Sequence, residues 1–200
     1  VSLSRRCTMP GRAPFSSDAG EETRPALFSA LPALRVIGQA MNAYIIAEGP
    51  DGIYVIDQHA AHERVRYDAV AAQRAAGQPE VQGLLQPGTL EVTPQQQAIM
   101  AAISGQLAEL GFGLEPFGER AYLVRSVPGH LKDGWDGALR ELLDELGGEQ
   151  KSRWDEKIIA SIACHNAVRA GQVLSMEEMR ALVRQLEQTP NPHTCPHGRP

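Results

Sequence analysis

The sequence predicts an α+β fold, on three observations. A run of apolar segments, "RVIGQAMNAYIIAEGPDGIYVID", carries the turn signal Pro50-Asp51-Gly52 and reads as a meander of strands. Behind it stand several segments with apolar residues at i, i+3 and i+4, some opened by capping signals. Between about Pro87 and Gly148, strand, helix, strand and helix patterns follow one another as a compact α+β block. A chain of 200 residues that is 42% hydrophobic has enough apolar material for a real core.

The elements follow in order. Residues 1–30 are rich in Ser, Arg, Pro and Gly, cannot bury enough surface to offset ordering entropy, and are expected to be a disordered linker. The chain opens on Val, which reads as the tail of a longer protein with a domain ahead of it. After the meander, Gln58 to about Ala75 reads as a helix with Ala61, Val65, Ala69, Ala72 and Ala76 inward and the chemistry on the opposite face. "QPGTLEV" reads as a strand leading to Thr93, which caps a helix with Pro94 at its first position and Gln96 closing a capping box. That helix buries Ile99, Met100, Ile103, Leu107 and Leu110 and ends at Gly111. "FGLEPFGERAYLVRSVP" gives two strands, and "DGWDGALRELLDELGG" a helix with Trp135, Leu139, Leu142, Leu143 and Leu146 inward. "WDEKIIASIACHNAVRAG" reads as a helix through to Gly171. Ser175 and Glu178 box the start of the next helix, which Thr189-Pro190 stops, and "NPHTCPHGRP" is a loop dense in potential ligands.

Charge and cysteine usage exclude several classes. A formal charge of −5 offers no basic footprint, so this chain alone should bind DNA weakly. Cys7, Cys164 and Cys195 are too few and too odd in number for a disulfide framework and suit a reducing compartment. With no membrane-length apolar run and no signal-peptide core, the expected location is cytoplasmic, without a membrane partner.

The stretch "IDQHAAHERVRYD" concentrates metal-capable side chains. On a helix from Gln58, His59 and Glu63 lie at i and i+4, side by side on one face. That spacing suits a divalent cation, or a plain His-Glu surface pair. Cys195-Pro196-His197 puts a thiol and an imidazole into an irregular, proline-stiffened loop where both can turn toward one ion. With Cys164, itself readable as a small buried hydrophobe, the candidate ligands are His59, Glu63, Cys164, Cys195 and His197. Thiolate and imidazole favour Zn2+, carboxylates Mg2+ or Mn2+, and a mixed set can hold adjacent ions bridged by Glu63.

Asp57-Gln58-His59-Ala60, then Glu63, then Asp68 resembles the D-Q-H-A-x2-E-x4-E endonuclease motif of MutL-type mismatch-repair proteins. "ACHNAVRAG" is similar to that family's second motif and "CPHGRP" to its third. The resemblance implies a C-terminal domain with a two-lobed fold: a dimerisation and catalytic lobe from 31–86 and 152–200, and an inserted outer, regulatory lobe from 87–151. It implies a homodimer that nicks one strand of duplex DNA with Zn2+ and with Mn2+ or Mg2+, in a cytoplasmic, nucleoid-associated setting. Asp57 becomes the acidic residue needed for cleavage, working with Glu63, while Gln58 and Asp68 are supporting residues. Asp68 departs from the pattern's Glu by one methylene.

"QGLLQP" resembles the Q-x-x-[LI]-x-P peptide that tethers such proteins to the replication sliding clamp, through Gln82, Leu84, Leu85 and Pro87. A clamp already encircling DNA would supply the local concentration that an acidic surface cannot. The resemblance further implies a mismatch-recognition partner and an ATPase, both acting through the full-length protein. The rival reading keeps the metal and drops catalysis: a zinc-stabilised dimerisation and clamp-docking module with a closed ligand set.

Overall fold

The computed structural model describes residues 31–131, 133–148, 150–165 and 172–196. The expected linker with Cys7, the second half of "ACHNAVRAG" and His197 lie outside the described residues. The described chain is α+β, as the sequence predicts, with two antiparallel sheets and five α-helices.

The meander forms the first sheet, in the order β1 (Arg35–Ala40), β2 (Tyr44–Gly49), β3 (Gly52–Asp57). The β1–β2 turn holds Met41 and Asn42 at φ of 54° and 52°, a left-handed conformation that costs an L-residue roughly 1–2 kcal/mol. Helix α1 (Gln58–Ala75) starts directly at the end of β3. Against the inner face of this sheet, Val36 and Ile45 meet Ala61 of α1 and Met179, Leu182, Val183 and Leu186 of α5 (Met176–Glu187).

The second sheet has the order β4-β6-β5, from β4 (Val81–Glu91), β5 (Gly113–Pro116) and β6 (Ala121–Pro128). Helices α2 (Pro94–Glu109), α3 (Trp135–Gly147) and α4 (Trp154–Cys164) share the larger core with it. Ile103, Leu107, Leu139, Leu142 and Ile158 are all fully buried there. Gly88 is glycine because a Cβ would collide with the Trp135 ring. Gly111 takes φ +101° just past α2, as its terminating position requires.

Both expected capping boxes form. Thr93 Oγ1 accepts from the Gln96 N–H at 3.2 Å while the Gln96 side chain accepts from the Thr93 N–H at 3.0 Å. Ser175 and Glu178 do the same at 3.2 and 2.7 Å.

Two expectations are corrected. On α1, Ala69, Ala72 and Ala76 are exposed, while Gln58, Glu63, Arg64 and Val70 are buried, so the face that carries the chemistry is the inward one. Alanine offers little area to bury, and the larger side chains decide which way the helix turns. Helix α4 stops at Cys164: His165 takes ψ 126°, and its Nδ1 lies 3.2 Å from Glu141 Oε2 of α3.

Candidate functional site

The site is assembled at the β3–α1 junction. Asp57 is the N-cap of α1; its Oδ1 accepts from the N–H groups of His59 at 2.8 Å and Ala60 at 3.1 Å. A carboxylate there satisfies orphan helix donors and faces the positive end of the helix dipole. Asp57 therefore holds a structural post as well as a place in the cleft, which the sequence reading did not foresee.

Gln58 is 0% exposed. Its Nε2 donates to the carbonyls of Asn42 at 2.9 Å and Gln172 at 3.0 Å, and its Oε1 accepts from Gln39 Nε2 at 2.6 Å. Gln39 also donates to the Gln172 carbonyl at 2.9 Å and accepts from the Leu174 N–H at 3.3 Å. The motif's amide thus ties the left-handed β1–β2 turn to the segment entering α5, a supporting role made of hydrogen bonds. Gln39 is a site residue the sequence reading missed.

His59 Nε2 lies 3.2 Å from Glu63 Oε1, as i,i+4 spacing requires, and Glu63 is buried. Cys164, at the end of α4, is close enough to feel Glu63 and Cys195. Burial pushes the Cys164 thiol up to about 12, with Glu63 and Cys195 adding to the rise against Arg64 and Arg66. His62 is driven down to about 4 by burial, then by Arg66 and His59. Cys195 is 2% exposed. Its segment docks on α1 through Arg64, whose Nε donates to the Thr194 carbonyl at 2.7 Å.

Helix α1 and the chain's last described residues therefore fold against each other. Asp57, Ala60 and Ala61 share a cleft of about 470 Å³ with His193, Thr194, Cys195, Tyr44 of β2 and Tyr54 of the edge strand β3. Of the described candidate ligands, only Cys195 lines this cleft; Glu63 stands beside His59, and Cys164 lies close enough to feel Glu63 and Cys195. Yet among the described residues no three His, Cys, Asp or Glu side chains converge closely enough to share an ion. His197, the fifth candidate, lies outside the described residues. By type alone, an imidazole, a carboxylate and two thiols are donors that suit a divalent cation.

Asp68 does not join that group: its Oδ1 pairs with Arg64 Nη1 at 3.2 Å. Arg64 is buried, and Arg66 Nε donates to His62 Nε2 at 3.2 Å.

The peptide Gln82–Pro87 falls within β4, where the pairing with β6 jumps from Gly83↔Ser126 to Gly88↔Val124. The intervening residues bulge from an edge strand. Leu85 is 104% exposed at its crest, whereas Leu84 packs against the larger core.

A family described as "MutL C terminal dimerisation domain" matches residues 37–174. The chain belongs to this family. It is 40% identical over 181 residues to the DNA mismatch repair protein MutL of Koribacter versatilis, covering 88% of this chain and 28% of that protein. The MutL of Methanothrix thermoacetophila is 40% identical over 173 residues, 84% of this chain and 31% of its own length. That of Solibacter usitatus is 39% identical over 203 residues, 99% and 30% respectively. The chain thus spans less than a third of the length of these relatives. No helix among the described residues is long and apolar enough to cross a membrane.

Proposed function

We propose that this MutL-family chain is the C-terminal part of a mismatch-repair endonuclease that nicks one strand of duplex DNA. The observation that carries the reading is the docking of the Cys195 segment on α1, with Asp57 and Cys195 lining one cleft. His59, Glu63, Cys164, Cys195 and His197 would hold zinc, with manganese or magnesium joining for cleavage. A bound divalent cation supplies a water acidified toward neutral pH and a positive charge opposite the scissile phosphate.

The chain's own residues set the stage for that chemistry. Asp57 Oδ1 is committed to the helix cap, which leaves Oδ2 as the oxygen able to orient an attacking water. Glu63 is fixed by its helix and held beside His59. Cys164 Sγ keeps its proton while no cation is present, so loading the site should release protons.

The test is nicking of supercoiled plasmid with added Mn2+ by the parent, Asp57→Asn and Glu63→Lys chains. Loss of nicking in both variants is expected, and equal nicking by all three discards the assignment. One EDTA-resistant zinc per chain without manganese-stimulated nicking would instead favour the structural module.

Two partners complete the reading. Dimerisation would use the outer face of the first sheet, where Ile37, Ile53 and Val55 are exposed. Clamp binding would use the β4 bulge, with Leu85 as the inserted anchor and Leu84 as its half-buried footing. Leu85→Gln should abolish clamp capture at unchanged stability; retained capture would remove the bulge as the clamp site. The ATPase and the mismatch-recognition partner act through the full-length protein, in a cytoplasmic, nucleoid-associated setting.

A further inference from the structure

Helix α1 carries two i,i+4 pairs that include a carboxylate, His59–Glu63 at 3.2 Å and Arg64–Asp68 at 3.2 Å. At 3.6 residues per turn, Asp68 stands about 140° around the axis from Glu63, too far for both carboxylates to face one ion. Asp68 instead lines a groove with Gln185, Gln188, Thr189 and Pro190 at the end of α5. The first and last acidic residues of this helical stretch therefore have different neighbours and different work.

Arg64 is 8% exposed, and a guanidinium so far from water needs its fork occupied. Nε donates to the Thr194 carbonyl at 2.7 Å, Nη1 to Asp68 Oδ1 at 3.2 Å, and the guanidinium carbon sits 5.5 Å from the Tyr67 ring centroid. The Thr194 carbonyl shares a rigid peptide plane with the Cys195 N–H. Fixing that oxygen fixes where the Cys195 side chain begins. Lysine cannot reproduce this hold, because it lacks the planar fork that reaches a carbonyl and a carboxylate at once.

We infer that Arg64 is a positioning residue that docks the Cys195 segment on α1, and that Asp68 anchors Arg64 instead of serving as a metal ligand. The docking stands on its own contacts; its purpose, presenting a sulfur to a cation, rests on the nuclease reading above.

The experiment follows N-ethylmaleimide alkylation of the metal-free 200-residue chain, resolved by peptide mass spectrometry at Cys195 and Cys164. Releasing the tail in Arg64→Gln should speed Cys195 about tenfold by making local opening easier, with Cys164 changed less than about twofold. Asp68→Asn should speed Cys195 by about threefold, since it weakens only the anchor, and Asp68→Glu should restore parental protection. Parental Cys195 rates in Arg64→Gln, or equal acceleration of both cysteines, would overturn the inference. Should Arg64→Gln not fold, Arg64→Lys takes its place, and parental Cys195 rates in both Arg64→Lys and Asp68→Asn would overturn it equally. A Co2+ titration of Arg64→Gln separates the two readings. Weaker sulfur-to-cobalt absorption is expected; faster alkylation with an unchanged cobalt spectrum would uphold the docking and remove Cys195 from the metal site.

Discussion

The larger core and the seam between α1 and the Cys195 segment are built from opposite materials. In the core, Leu90, Met100, Ile103, Leu107, Leu139, Leu142 and Ile158 bury hydrocarbon with no exposed surface. On the α1 side of the seam, the helix's buried side chains include an amide, a carboxylate and a guanidinium, Gln58, Glu63 and Arg64, of which Arg64 reaches across to the Thr194 carbonyl. Hydrocarbon burial is non-directional and tolerates exchange of similar volumes, whereas buried polar groups must meet partners of the right geometry. The core supplies stability, and the seam spends some of it to fix particular atoms in place.

Four tests would sharpen that contrast. The largest effect should come from Leu142→Ala in the core: a loss of about 2–5 kcal/mol in denaturant unfolding, with the transition still cooperative. A smaller loss would mean that this core collapses around the cavity. Next, Gln58→Ala should cost about 1–3 kcal/mol by taking the side-chain donor from the Asn42 carbonyl and one of the partners from both the Gln172 carbonyl and Gln39. Hydrogen exchange should then rise at the β1–β2 turn and near Gln172; unchanged exchange there would dissolve the strap.

Asp57 separates capping from chemistry. Asp57→Ala should lose about 1 kcal/mol of stability and Asp57→Asn only a few tenths, because asparagine caps nearly as well, while both lose nicking. Equal destabilisation by the two would contradict the cap.

A further test is pH. Burial holds His130 below its ordinary range, against the Ile162 carbonyl 3.0 Å from its Nε2, and holds His62 at about 4. The unfolded chain takes up these protons near pH 6.5 and the folded chain does not, so stability should fall as pH drops from about 6.5 toward 4. His130→Gln should flatten that slope in urea titrations at successive pH values. An undiminished slope would assign the effect to other groups.

How far the sequence could be read differed from residue to residue. The boxes at Thr93–Gln96 and Ser175–Glu178 were legible because their partners are three residues apart. So was the His59–Glu63 pair, at helical spacing. The inward face of α1 was misread because alanines at a good period look like a core stripe, and nothing local says that Arg64 will find a carbonyl 130 positions away. A clue was present: Asp68 stands four residues after Arg64, the spacing at which one helix neighbour braces another. The end of α4 at Cys164 left no local signal, since His165 turns away toward Glu141 of another helix.

By itself, the sequence determined the strands of the meander, the helix starts and the chemical character of the motif, all of which depend on propensity and spacing over a few residues. Tertiary structure alone decided that the buried face of α1 would be polar, that Gln58 would bind two distant segments, and that Leu85 would crest a bulge while Leu84 turned inward. Local pattern cannot encode these outcomes, because each is a choice of partner, and partners far apart in the chain are set only when the whole chain packs.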